Sequence, residues 1–218
     1  MKKRYFLIFV LILAAGCSQR IKPGRQVSVS ASIEKTVIEE MNFARQHPRE
    51  YIAVLRELRA KYDGMYIMRP EINARIRTKE GVKAVDEAIR YLQRVSPVHP
   101  LTYSQGMSKG AADHALDQGA TGAFGHEGRD GSFAGERVNR YGEWQGSVGE
   151  NIAYGHESAR DIVTGLIVDD GVADRSHRTN IFDPDFYIAG VAFGHHQKYR
   201  TICVITFANR FIEINENP

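Results

Sequence analysis

Two histidines and two carboxylates stand out in this sequence as residues that could do chemistry: His126, Glu150, Asp169 and His177. His126 lies in a glycine-studded stretch from Gly122 to Gly135 that has no apolar pattern and reads as an exposed or cleft-lining loop. Glu150 belongs to Gly149-Glu150-Asn151-Ile152, and His177 to Ser176-His177-Arg178. Neutral imidazoles with carboxylates suit a borderline divalent cation, zinc above all. Spacing alone does not show that the four converge. Asp169 has a claim of its own, because Asp169-Asp170-Gly171 ends an apolar helical pattern. A carboxylate there faces the negative end of the helix dipole at a cost of about 0.3–1 kcal/mol, which calls for a positive neighbour. Arg175, Arg178, protonated His177 or a bound cation would serve, and a plain ion pair with Arg175 is the simplest.

Standard hydrolase signatures are missing. His156-Glu157-Ser158-Ala159-Arg160 starts like a zincin helix but has Arg160 where the second histidine belongs, and Ser147 has Gln145 where a nucleophile elbow needs glycine. Ser176 adjoins His177 in sequence, which does not place a base on its hydroxyl. Glu136 reads as a helix-surface charge that could also reach a cleft. Trp144, Tyr141 and Tyr154 flank the Glu150 segment and read as packing residues, with a ligand groove as the other use. His195 and His196 read as exposed hairpin residues, and His47, His99 and His114 carry no pattern.

The N-terminal residues set the compartment. Lys2, Lys3 and Arg4 precede an apolar run from Tyr5 to Leu13, and Ala14-Ala15-Gly16-Cys17 closes it with small residues and a cysteine. This is a secretory signal, too short for the ~20 residues of a spanning helix. The closing cysteine has the form of a lipobox, with cleavage before Cys17 and acylation of its sulfur. Two or three acyl chains, at ~0.8 kcal/mol per buried methylene, would anchor the chain to the envelope membrane, and Ser18 is compatible with an outer membrane where there are two. The 29 basic and 26 acidic residues leave +3, all supplied by those three n-region residues, so the mature chain is near neutral. No nucleic-acid footprint remains. Cys203, in a β-branched run from Thr201 to Phe207, reads as a buried strand thiol.

The elements that must position these residues follow from periodicity. Beyond the signal (1–17), a serine-containing tether (18–32) precedes one domain over 33–218. Ser32 is positioned to cap a helix with Ile33, Val37, Ile38 and Met41 on one face; Pro48 ends it and opens a second, Arg49 to Lys61. Asp63 to Thr78 shows no period. Helices are expected over Glu80 to Val95, Ser104 to Gln118 closed by Gly119, and onward from a capping box at Ser158 and Asp161. Strands are expected over Tyr187 to Phe193 and Tyr199 to Ala208. Helices followed by antiparallel strands, without βαβ alternation, give an α+β class.

Five segments in order make the sequence resemble the CAP (SCP-like) superfamily, in its bacterial branch. They are Met41-Asn42-Phe43-Ala44-Arg45, Pro100-Leu101-Thr102-Tyr103, Phe124-Gly125-His126, Gly149-Glu150-Asn151-Ile152 and Ser176-His177-Arg178-Thr179-Asn180-Ile181. The match runs from Ile33 to Asn209 and is poorest between Ala60 and Ser96. The resemblance implies an α-β-α sandwich with a small antiparallel sheet between helices, and a cleft lined by His126, His177, Glu150 and a second acid. Family members often carry glutamate at that last position; the helix alignment here puts Asp169 there. Asn42, Arg45 and Asn180 match structural positions. The implied function is a cell-envelope binding module with a divalent-metal-capable cleft for a lipid, glycan or protein ligand. The alternative is a metal-assisted hydrolase of peptides or envelope polymers, with Glu150 activating water.

Overall fold

A computed structural model describes residues 27–69 and 73–214. The signal segment, Cys17 and the tether as far as residue 26 lie outside the described residues. Fourteen elements follow in order: α1 (Val27–Gln46), α2 (Pro48–Ala60), β1 (Tyr62–Asp63), β2 (Tyr66–Arg69), β3 (Ala74–Arg77), α3 (Val82–Leu92), β4 (Thr102–Tyr103), α4 (Gln105–Thr121), α5 (Ala134–Val138), β5 (Gly142–Tyr154), α6 (Ala159–Val168), α7 (Ser176–Phe182), β6 (Ile188–His196) and β7 (Arg200–Glu213).

The main sheet has the order β4-β6-β7-β5, antiparallel except for the short parallel β4–β6 pair. β7 shows why it is central: Cys203, Ile205 and Phe207 face one layer, while Ile202, Val204 and Ala208 face the other, all buried. This period-two burial on both faces is what a strand between two helical layers requires. On one side Val37 and Met41 of α1, Leu55 of α2, Leu92 of α3, Ile162 and Ile167 of α6 and Ile181 of α7 form the larger core. On the other, Ala111 and Ala115 of α4 and Val138 of α5 cover the sheet. The chain is thus an α+β, α-β-α sandwich. Contact between α4 and β6 depends on Gly190, where a Cβ would lie 2.3 Å from backbone atoms of Met107 and Ser108.

Two helix starts follow the local chemistry, and two other expected helix ends shift. Ser104 and Ser158 cap α4 and α6 by accepting from the amides of Met107 and Asp161, both at 3.1 Å. However, α1 already runs from Val27, so Ser32 falls inside the helix instead of capping it. α4 closes at Gly122, whose φ of 72° suits glycine, beyond its expected end at Gly119. The aperiodic stretch after α2 folds as a separate three-stranded sheet, β1-β2-β3. Its two- and four-residue strands are too short to show alternation.

Candidate functional site

β5 is the edge strand that organises the site, and periodicity does not reveal it. Its glycines and charges, together with a register shift between Gln145 and Val148, hide the alternation; pairing with β7 imposes the strand. Successive side chains then divide between faces. Glu150 and Ile152 face the layer of α4 and α5, whereas Asn151 and Ala153 face α6 and α7.

On the first face, Glu150 is buried between His126 and Arg137. Its Oε1 accepts from His126 Nδ1 at 2.9 Å and its Oε2 from the Arg137 guanidinium at 2.7 Å. Arg137 is itself buried and also donates to the carbonyls of Ser132 (2.5 Å) and His126 (3.2 Å), tying the loop to α5. The loop is held from beneath as well. His114 Nε2 and Gln118 Nε2 bond the Gly125 carbonyl at 2.9 and 2.5 Å, and the Gly125 amide donates to the Tyr154 hydroxyl at 3.1 Å. Burial lowers the pKa of His114, consistent with a neutral imidazole under the loop.

On the second face, Asp169 is the left-handed C-cap of α6, with φ 56° and ψ 44°. Its Oδ1 accepts from His177 Nδ1 at 2.7 Å and its Oδ2 from the His177 amide at 3.0 Å. Of the possible positive partners it is therefore His177, not Arg175, that meets this carboxylate. Arg175 donates instead to the Asp169 carbonyl and, through two 2.6 Å bonds, to Glu80; Arg178 pairs with Glu87. Asn151 Nδ2 bonds the His177 carbonyl at 2.9 Å, and Asn180 Nδ2 bonds Asn151 Oδ1 at 2.9 Å, which docks α7 on β5.

The loop carrying Asp169 is latched to the start of α3. Asp170 accepts from the amides of Lys79 and Glu80, both at 2.7 Å, and Glu80 accepts from the Gly171 amide at 2.7 Å as well as from Arg175. The Arg175 bonds, followed by that amide, lower the Glu80 carboxyl to about 2 from its ordinary 4.5. A lowered acid stabilises the fold above its ordinary pKa and loses that contribution as pH falls through its folded value. The latch is therefore expected to hold at pH 5 and to release between about pH 4.5 and 2. The Gly171 amide resonance followed by NMR should report a midpoint near 2, and Glu80→Gln should remove that titration.

The four residues thus form two separate histidine–carboxylate pairs that flank the free edge of β5 from opposite faces. Among the described residues, no group of three or more histidine, cysteine, aspartate or glutamate side chains is gathered in a metal-holding arrangement. Since an ionised carboxylate only accepts, each Nδ1 must donate; in the neutral imidazole the Nε2 then carries a lone pair, and neither Nε2 has a hydrogen-bond partner among the described residues. Glu136 does not reach this site: it accepts from the Phe133 amide at 2.7 Å and caps α5. Tyr154 packs and braces the loop. His195 is exposed, but His196 is fully buried and bonds the Ala123 carbonyl at 2.7 Å, because the hairpin turn begins after it. Cys203 is buried in β7, and burial raises its pKa. Arg137 went unrecognised in the sequence; its one signal is its position beside Ala134 and Val138 on the apolar face of a five-residue helix.

Residues 57–207 match the family model described as the cysteine-rich secretory protein family, CAP. No curated protein matches the chain. Among solved structures, an outer surface protein from Borrelia burgdorferi is similar at 18% identity and a TM-score of 0.44, covering 59% of this chain and 90% of that one. An extracellular protein containing a SCP domain from Bacillus anthracis is similar at 20% identity and a TM-score of 0.42, covering 59% of this chain and 38% of that one. The CAP domain of enterococcal PrgA follows at 19% identity and a TM-score of 0.37, with 65% and 62% covered. No helix among the described residues is long and apolar enough to cross a membrane.

Proposed function

The chain belongs to the cysteine-rich secretory protein (CAP) family, and from that membership we propose that it is a binding module of the cell envelope. Its recognition site is the free edge of β5 and the two histidines beside it. One observation carries the reading: both imidazoles are oriented by buried carboxylates and present an unpartnered Nε2. That pattern is how proteins prepare histidine for a cation or a hydrogen-bonding ligand. Each Nε2 is a nitrogen donor of the kind a divalent cation takes, with Glu150 and Asp169 orienting the two rings, and such a cation would leave its other positions to water or ligand. When bound, such a cation would supply a Lewis-acidic anchor for an anionic or carbonyl group of a lipid, glycan or protein ligand.

Hydrolysis has less support. Hydrogen bonds to an ionised carboxylate stabilise its charged form and make it a weaker general base. Glu150 has one oxygen on His126 and the other on Arg137, and Asp169 spends both on His177. Zinc titration calorimetry on the chelator-treated chain is expected to show one site that His126→Ala combined with His177→Ala removes. Equal binding by both proteins, or none by either, would reject the metal-capable cleft. We also propose that Cys17 carries the lipid anchor: metabolic labelling with an alkyne fatty acid should mark the chain, and Cys17→Ala should abolish the label and release the protein from membranes.

A further inference from the structure

Beside His177, on the α6–α7 face of the same edge, lies a groove of about 420 Å³. Its lining joins Tyr62, Ile67 and Ile76 from the small sheet region, Val168 and Val172 at and after the end of α6, and the stretch from Ile152 to Gly155 at and just past the end of β5, with the charged Arg69 and Asp161 among them. His156 also lines the groove, with a buried Nδ1 that has no hydrogen-bond partner among the described residues.

The register of β5 shows what its free edge offers. Gly155 N donates to Thr201 O at 3.0 Å, so Gly155 points its backbone toward β7. In an antiparallel pair, backbone direction alternates, so Ala153 and Asn151 also point to β7 while Ile152 and Tyr154 point away. Because β5 is an edge strand paired only with β7, no second strand among the described residues takes up the outward N–H and C=O groups of Ile152 and Tyr154. An acyl chain laid in the groove would strip water from these groups without replacing its hydrogen bonds, at about 1–3 kcal/mol each. An extended peptide would satisfy them and place alternate side chains against the apolar walls.

We propose that the groove binds an extended peptide segment with apolar side chains at alternate positions, added as a strand to β5. The proposal rests on the binding-module reading and specifies its partner: a protein or peptide in preference to a lipid. The His156 and His177 imidazoles both line the groove and would meet polar groups of the peptide there.

The test uses the whole chain and a fluorescent, end-blocked Ser-Val-Ser-Val-Ser peptide in a polarisation titration. Saturable binding is expected. N-methylation of one alternate set of residues should weaken it at least tenfold, while methylation of the other set should leave it within twofold, because only one set points its amides at β5. Ile76→Lys, a change at a half-exposed wall residue, should also weaken binding at least tenfold. Absence of binding, equal loss with both methylated peptides, or binding of palmitate without binding of the peptide would each overturn the proposal. Zinc binding that depends on His126 and His177 would survive all three results, so this proposal and the functional reading can fail separately.

Discussion

Glu150→Ala is expected to destabilise the protein by about 3–5 kcal/mol, measured as a shift in the urea unfolding midpoint at unchanged slope. The side chains of Glu150 and Arg137 are 4% and 2% exposed, so the guanidinium has almost no access to water. Among the described residues, removing the carboxylate leaves the buried cation with the carbonyls of Ser132 and His126 alone, while its Nε already has no hydrogen-bond partner there. Breaking one partner of such a pair costs more than deleting both, because the remaining charge stays buried. Glu150→Ala with Arg137→Met should therefore be more stable than Glu150→Ala alone, which separates the orphaned charge from general loss of packing. His126 would lose its orienting partner in either variant. Zinc affinity should fall in both, including the double variant that regains stability.

The layered fold was open to sequence reasoning where burial is periodic. The stripe Val37, Ile38, Met41 in α1 and the β-branched run around Cys203 in β7 each carry their own period, and both lie where that period places them. β5 and α7 fail this test for a physical reason. β5 is buried mainly in its second half and its register shifts midway, so no single alternation spans it. α7 starts at Arg175 in the left-handed region with no side-chain cap, held by tertiary bonds that local pattern does not contain. The site divides in the same way. Motifs single out His126, Glu150 and His177, and the end of a helical pattern singles out Asp169, but their pairing as His126 with Glu150 and His177 with Asp169 depends on β5 presenting adjacent residues to opposite faces. Arg137 and His114 are invisible for a related reason: each is a polar residue made necessary by a loop that crosses over it.

Arg45→Ala is expected to cost about 3–5 kcal/mol, although among the described residues no carboxylate oxygen bonds this guanidinium. Arg45 is fully buried and donates to four carbonyls: His99 at 2.8 Å, Ile181 at 2.6 Å, and Asp183 and Phe186 at 3.0 Å each. Burial lowers its pKa to about 10, so it remains charged at neutral pH. One planar side chain at the end of α1 thus fastens the segment before β4 and the whole turn between α7 and β6. Truncation leaves carbonyls facing a cavity, at about 1–3 kcal/mol for each that water does not reach. Arg45→Lys tests whether geometry or charge matters, because an ammonium has three donors on a flexible stem and cannot reproduce the planar fork. If geometry dominates, the lysine variant recovers less than half of the loss in a urea titration. In both variants α7 should loosen, since its last turn is anchored through Ile181, and hydrogen exchange should accelerate over residues 176–186 before the rest of the sheet. Because His177 and Asn180 belong to that helix, the half of the site on the α6–α7 face should lose zinc or peptide affinity while the Glu150–His126 pair on the other face remains intact.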